Sequence, residues 1–253
     1  MWHPPARADG RGHLTLVEAP RWLLIGNSRW HWGERLQDGQ LRGWDGPPLP
    51  GGEAAAPPVA WAAVGPLPDP LLCPPGRRVA LEDVPLLGCP PWLGVDRALA
   101  GWGAWQELGD SVLVVDAGTV LSLTRVDPSG TFQGGRLLAG LRLQREAMTN
   151  RTTLIPAILA DAQRGHHLPE GRDGDAMWPL ATAAAMEVGV EACLAAAVIE
   201  ASRCASCQWV VLTGGDSAML HDRVAPELRQ LGLGVAHRPL LCLGSLARLR
   251  PAS

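Results

Sequence analysis

Asp116-Ala117-Gly118-Thr119 follows the apolar run Val112-Leu113-Val114-Val115 and passes into an alternating segment, Val120 to Thr124, that ends near Asp127-Pro128-Ser129-Gly130. A buried strand that enters a carboxylate-plus-glycine turn and leaves as a second strand is a hairpin with chemistry at its tip. Gly118 lets backbone amides approach a phosphate closely, Thr119 adds a hydroxyl, and Asp116 can hold a cation that neutralises the same phosphate. The reading is an ATP-handling turn. Trp22-Leu23-Leu24-Ile25 breaks at Gly26-Asn27-Ser28 and resumes as Arg29-Trp30-His31-Trp32-Gly33, a second hairpin of the same design. Thr213-Gly214-Gly215-Asp216 follows the apolar Trp209-Val210-Val211-Leu212 and leads into a helix, the edge at which α/β proteins take nucleotides. The chain contains no lysine, which excludes a Walker-type loop. Polyphosphate chemistry here must use backbone, hydroxyls, arginine and metal.

Taken singly, these residues also have purely structural readings. Asp-x-Gly suits a tight turn without any ligand, Asp216 can cap the helix after it, and Asp96 can cap a helix starting beside it. The duplicated hairpin argues for chemistry. His31 reads as an outward strand residue and His166-His167 as part of a solvated loop, so neither indicates a metal.

The elements that must position these turns follow from periodicity. Leu93 to Glu107 has helical spacing and ends near Gly109; a strand is expected at Val59–Val64, and helices at Leu137–Thr149 and Met177–Ser202. A helix near Val224–Leu231 and a strand at Val235–Arg238 complete an α/β pattern. At 253 residues the chain suits two medium domains, with an irregular leader over 1–20, a first domain over 21–108 and a second over 109–253. A net charge of -3 gives no electrostatic footprint for nucleic acid. No apolar run approaches the roughly 20 residues of a membrane span, and the N-terminus lacks a signal-peptide pattern, so a cytoplasmic protein is expected. The six cysteines, including the lone Cys204-Ala-Ser-Cys207, are expected to be free thiols, those at the helix end buried.

The order of motifs from about Trp22 to the C-terminus resembles that of type III pantothenate kinase, within the superfamily of acetate and sugar kinases, heat-shock chaperones and actin. The family's Asp-x-Gly-Asn-Thr-Arg is matched by Leu24-Ile25-Gly26-Asn27-Ser28-Arg29, and its Gly-x-Asp-Arg by Gly94-Val95-Asp96-Arg97. Its second phosphate motif and double glycine are Asp116-Ala117-Gly118-Thr119 through Gly134-Gly135. Ala139-Gly140-Leu141 stands where the family has Pro-Gly-Leu, Thr153-Leu154-Ile155-Pro156 resembles its Thr-x-Leu-Pro, and Thr182 to Gly189 resembles a Thr-led helix.

The resemblance implies two tandem ribonuclease H-like domains with the active site in the cleft between them. It also implies ATP-dependent phosphorylation of pantothenate, the first step of coenzyme A synthesis, by a homodimer using Mg²⁺ and a monovalent cation, K⁺ or NH₄⁺. Asp96 would be the general base, with Gly94, Arg97 and Thr182 binding substrate, Thr182 that of the neighbouring subunit. Gly26, Asn27, Ser28, Arg29, Gly118, Thr119, Gly214 and Gly215 would bind ATP, and Asp116 would help to hold the monovalent cation. Two departures touch function. Leu24 stands where the family has an aspartate on the metal and phosphate side, and no Tyr exists to close the pantothenate pocket. Two other readings therefore stand beside this one: a non-catalytic nucleotide-binding regulatory relative, and a kinase of the same superfamily acting on another small hydroxylated substrate.

Overall fold

The computed structural model describes residues 19–46, 57–65, 67–68, 70, 72–152 and 177–252, together with two short paired strands, β1 (Arg7–Ala8) and β2 (Leu14–Thr15). Thr153-Leu154-Ile155-Pro156 and His166-His167 lie outside the described residues. Two sheets carry the fold. The first joins β3 (Arg21–Ile25), β4 (Trp30–Arg35), β5 (Leu41–Asp45) and β6 (Ala60–Ala63) in the order β5-β4-β3-β6. The second joins β7 (Val112–Ala117), β8 (Val120–Val126), β9 (Phe132–Ala139), β10 (Trp209–Thr213) and β11 (Gly234–His237) in the order β11-β10-β7-β8-β9. Both expected hairpins form, β3 antiparallel to β4 and β7 antiparallel to β8.

The uninterrupted apolar run of β7 is explained by burial on both faces. Val112 and Val114 join one core cluster, which also holds Leu99 and Trp102 of α1 (Val95–Leu108) and Leu243 and Leu246 of α5 (Leu241–Leu249). Leu113 and Val115 face the other way, into a cluster with α3 (Thr182–Cys204) and α4 (Ser217–Gln230). On the first sheet Trp22 and Leu24 point into the shared α1/α5 layer, while Leu23 and Ile25 pack with Trp61 and Cys73 on the opposite face. The chain's last helix therefore lies beneath its first sheet, and Trp22 Nε1 ties the two ends by donating to the Arg250 carbonyl at 2.8 Å.

Several expectations are corrected. Leu137-Leu138-Ala139 extend β9 rather than opening a helix, because they pair with Ser122-Leu121-Val120 of β8, and α2 runs from Leu141 to Arg151. The helix expected near Val224 starts at Ser217. Pro226 does not interrupt it, since Leu220, Val224 and Leu228 on either side are fully buried. Helix α5, absent from the sequence reading, buries Leu241 to Leu243 and Leu246. Helix α3 is 23 residues long and apolar enough, by length and composition, to cross a membrane. It nonetheless packs Met186, Val190, Leu194 and Val198 onto the second sheet. Of the helix-end thiols, Cys207 is buried but Cys204 is exposed.

Candidate active site

The tips of the two hairpins meet. Thr119 Oγ1 donates to Ser28 Oγ at 2.9 Å, and Arg142, in the first turn of α2, reaches the same hydroxyl at 3.3 Å. Gly26 N donates to the Arg29 carbonyl at 2.9 Å and closes the first tip. The second tip is pinned from two sides: Gly140 N donates to Thr119 O, and Asp216 N to Ala117 O, each at 3.0 Å. Neither pin tolerates bulk. A Cβ on Gly140 would run into the carbonyls of Gly118 and Thr119, and one on Gly214 would lie 2.5 Å from Asp116 Oδ1 and 2.7 Å from Ala117 O. Gly214 also has φ +92°, which a side chain would strain.

Two carboxylates sit behind these tips. Asp96 is in the first turn of α1, where its Oδ1 accepts from the Arg97 amide at 2.7 Å. Gly94, and not Asp96, is the residue that begins the helix, and it makes room for that carboxylate: a Cβ there would lie 2.5 Å from Asp96 Oδ1. Burial pushes the Asp96 carboxyl above its ordinary value, against the opposing pull of its bond to the Arg97 amide and of the Arg97 charge. Burial, with the Asp96 charge adding to it, pushes Asp116 up to about 7. The buried Cys242 thiol of α5 lies against the Asp96 carbonyl at 3.6 Å, and burial beside both carboxylates drives it upward.

Arg97 is fixed on three sides. Its Nε donates to Thr124 Oγ1 at 3.1 Å, its guanidinium lies 5.8 Å from the centre of the Phe132 ring, and it passes over Gly135, where any Cβ would strike it and the Leu123 carbonyl. The double glycine thus has a local cause: Gly134 takes φ +90° and Gly135 clears a path for Arg97.

Leu24 is buried in the apolar α1/α5 layer, so the first hairpin presents no carboxylate where the second presents Asp116. Among the described residues no three His, Cys, Asp or Glu side chains gather as a metal site. Positive charge comes instead from arginine. Asp216 is raised by burial and pulled down by the charges of Arg145, Arg29 and Arg142, which themselves pair with Glu187 and Glu191, with Asp45 and with Glu146 respectively. Asn27 and Gly215 are exposed; Thr182 is exposed at the start of α3 and enters none of these contacts. Sequence reasoning missed Arg142, whose contact with Ser28 has no local signal, and Asp216 beside these arginine charges.

The family model for type III pantothenate kinase matches residues 87–203. The type III pantothenate kinase of Synechococcus elongatus is 34% identical over 231 residues, covering 82% of this chain and 89% of that protein. That of Gloeobacter violaceus is 35% identical over 224 residues, covering 82% and 90%. In structure, the chain is similar at a TM-score of 0.50 to the activator of the 2-hydroxyisocaproyl-CoA dehydratase from Clostridium difficile (11% identity, 92% of this chain and 94% of that one). A putative 2-dehydro-3-deoxygalactonokinase from Sinorhizobium meliloti also gives 0.50 (14% identity, 92% and 98%). These two show the fold to be the expected two-domain, ribonuclease H-like one, and the extended sequence identity places this chain in the type III pantothenate kinase family.

Proposed function

We infer that this chain transfers the γ-phosphoryl group of ATP to the hydroxyl of pantothenate, forming 4'-phosphopantothenate for coenzyme A synthesis. The observation that carries this, beside family membership, is the meeting of Ser28, Thr119 and Arg142 at the two hairpin tips, with Asp116 opening the second tip and Asp96 near enough to raise it. Phosphoryl transfer demands positioning, charge neutralisation and one group to accept the hydroxyl proton. Asp96, with its basicity increased by burial, is that base, and Arg97 and Gly94 bind the pantothenate beside it. The phosphates lie along Gly26, Asn27, Ser28 and Arg29 on one tip and Gly118 and Thr119 on the other, with the adenosine side at Gly214 and Gly215. The domains are 21–108 and 109–253, after the 1–20 leader, with the site in the cleft between them.

Asp116 and the carbonyl-rich tip around Ala117 and Gly118 suit a hard monovalent cation such as K⁺ or NH₄⁺. That ion would supply positive charge to the phosphates. Leu24 does not suit Mg²⁺, so divalent charge arrives with the nucleotide and is held by its phosphates, with Asp116 the remaining carboxylate. Restoring the family residue tests this: Leu24→Asp is expected to lower the Mg²⁺ concentration needed for half-maximal rate several-fold. It should also reduce thermal stability, since a carboxylate would enter an apolar layer. An unchanged Mg²⁺ dependence would remove this position from the metal's surroundings.

Gly135→Ala is expected to displace Arg97 and raise the KM for pantothenate about tenfold, with a smaller change in the KM for ATP; steady-state kinetics with each substrate varied decides it. Equal changes in both constants would show a general loss of structure instead.

A homodimer acting in the cytoplasm completes the proposal. The exposed face of α3 carries small residues at Thr182, Ala185, Gly189, Cys193 and Ala196, next to the exposed Trp178 and Leu180, which suits close packing of a second copy. Light scattering of the purified protein tests it. The reaction is tested by ADP release with ATP, Mg²⁺ and pantothenate in K⁺ and in Na⁺ buffers, with mass spectrometry of the product. ATP binding without pantothenate-dependent turnover would favour a non-catalytic relative, a reading that Leu24 supports. Turnover on another hydroxylated acceptor alone would favour a different kinase of the superfamily.

A further inference from the structure

One buried hydroxyl connects the glycine turn to a residue that the proposed reaction leaves unused. Ser217, the first residue of α4, is 1% exposed, and its Oγ donates to the Gly214 carbonyl at 2.6 Å. The same oxygen lies 2.9 Å from Nε2 of His237 at the end of β11. The serine proton is committed to the carbonyl, so the imidazole must supply the other one: Nε2 carries hydrogen and donates to Ser217. The ring is steadied by stacking on His221 of α4, centroids 5.3 Å apart. Burial and the neighbouring His221 push the His237 imidazole below its ordinary value, which favours its neutral form.

The parallel register sets up this contact. Leu212 of β10 stands beside His237 of β11, so the first residue after Leu212 opens the turn at the level of the imidazole. A second bond from the same region, Thr213 Oγ1 to the Pro239 carbonyl at 3.4 Å, supports the other side of the turn. Gly214 in turn abuts Asp116 Oδ1 and Ala117 O so closely that no side chain could intervene. The chain of contacts thus runs from His237 through Ser217 and Gly214 to the wall of the Asp116 tip.

We propose that His237 is a positioning residue for nucleotide binding, acting through the Ser217 hydroxyl to hold the Thr213–Asp216 turn in its binding shape. The proposal rests on the reading that this turn takes the adenosine side of ATP. It gives the turn a support outside the motif itself, one that contributes affinity and not chemistry. His237→Phe removes the donor but keeps a ring to stack on His221; His237→Gln returns an N–H near the position of Nε2; Ser217→Ala removes the middle link.

The test combines amide hydrogen exchange over residues 213–217 of the nucleotide-free protein with steady-state kinetics and direct ATP binding. Exchange at the turn is expected to quicken in His237→Phe and Ser217→Ala. The KM and Kd for ATP are expected to rise about tenfold, the size of one buried hydrogen bond, while kcat and the KM for pantothenate stay within about twofold. His237→Gln is expected to recover most of the loss. Unchanged exchange in both disrupting variants, or a fall in kcat without a change in ATP affinity, would overturn the proposal. Faster exchange with wild-type ATP affinity would instead overturn the placement of ATP at this turn, so the two failures separate.

Discussion

Asp96→Asn is expected to leave ATP binding intact and reduce phosphoryl transfer by roughly 10²–10⁴-fold, the contribution typical of a general base. The substitution is nearly isosteric. Its side-chain oxygen can still accept from the Arg97 amide, the bond that Asp96 Oδ1 makes at 2.7 Å, so the first turn of α1 and the setting of Arg97 should survive. What disappears is a carboxylate whose basicity burial has increased and which, beside Arg97, is the proposed base. In the wild type the base must be ionised to work, so kcat is expected to rise with pH through the raised ionisation of Asp96, and that limb should vanish from the residual rate of the variant. Single-turnover measurements with ATP affinity determined separately give the answer. Near-normal transfer would take Asp96 out of the role and leave positioning and charge as the whole of the catalysis.

The parts of this site that could be read from sequence are those in which a local pattern and a chemical need coincide. The two hairpin tips, Asp116 with Gly118, and the Thr213–Asp216 turn each combine an apolar strand with residues suited to a turn, and all form as expected. Where the local signal was shared between two structures, it misled. Leu137-Leu138-Ala139 is equally good as helix or strand, and pairing with β8 decides it; Arg142, on the helix that follows, has no local signal for its contact with Ser28. Other contacts have no local signal at all. Cys242 reaches Asp96 across 146 residues, and Trp22 holds the Arg250 carbonyl across 228. Ser217 and His237 meet only because β10 and β11 run in parallel register. The double glycine is visible as a motif, but its reason, the passage of Arg97 over Gly135, exists only in the folded chain.

Asp116's contribution to folding stability is expected to fall as the pH rises from about 4 to 7 in buffer free of K⁺ and NH₄⁺, and Asp116→Asn is expected to abolish that contribution. Asp116 is raised from 3.8 to about 7, so across this window the native state keeps a proton that the unfolded chain has released. The Asp116 contribution therefore falls with increasing pH, by at most on the order of 4 kcal/mol for a shift of about three pK units. Asp96 and Asp216, also raised, contribute in the same direction, and the lowered Asp45, Asp127 and Glu200 in the opposite one, which is why only the comparison with the variant isolates Asp116. A monovalent cation at this carboxylate reverses the sign of the problem, since it binds the ionised form and stabilises the folded state by mass action. K⁺ added at pH 8 should accordingly raise the melting temperature of the wild type and leave Asp116→Asn unmoved, while choline, too large and without affinity for a carboxylate tip, should do nothing to either. Denaturant melts of both proteins across pH, with and without K⁺, measure every term. Parallel pH curves would mean that the Asp116 carboxyl titrates normally, and an equal K⁺ response in both proteins would move the cation elsewhere. If both effects are seen, the carboxylate whose burial costs stability as the pH rises is the one that holds the cation beside the joined hairpin tips.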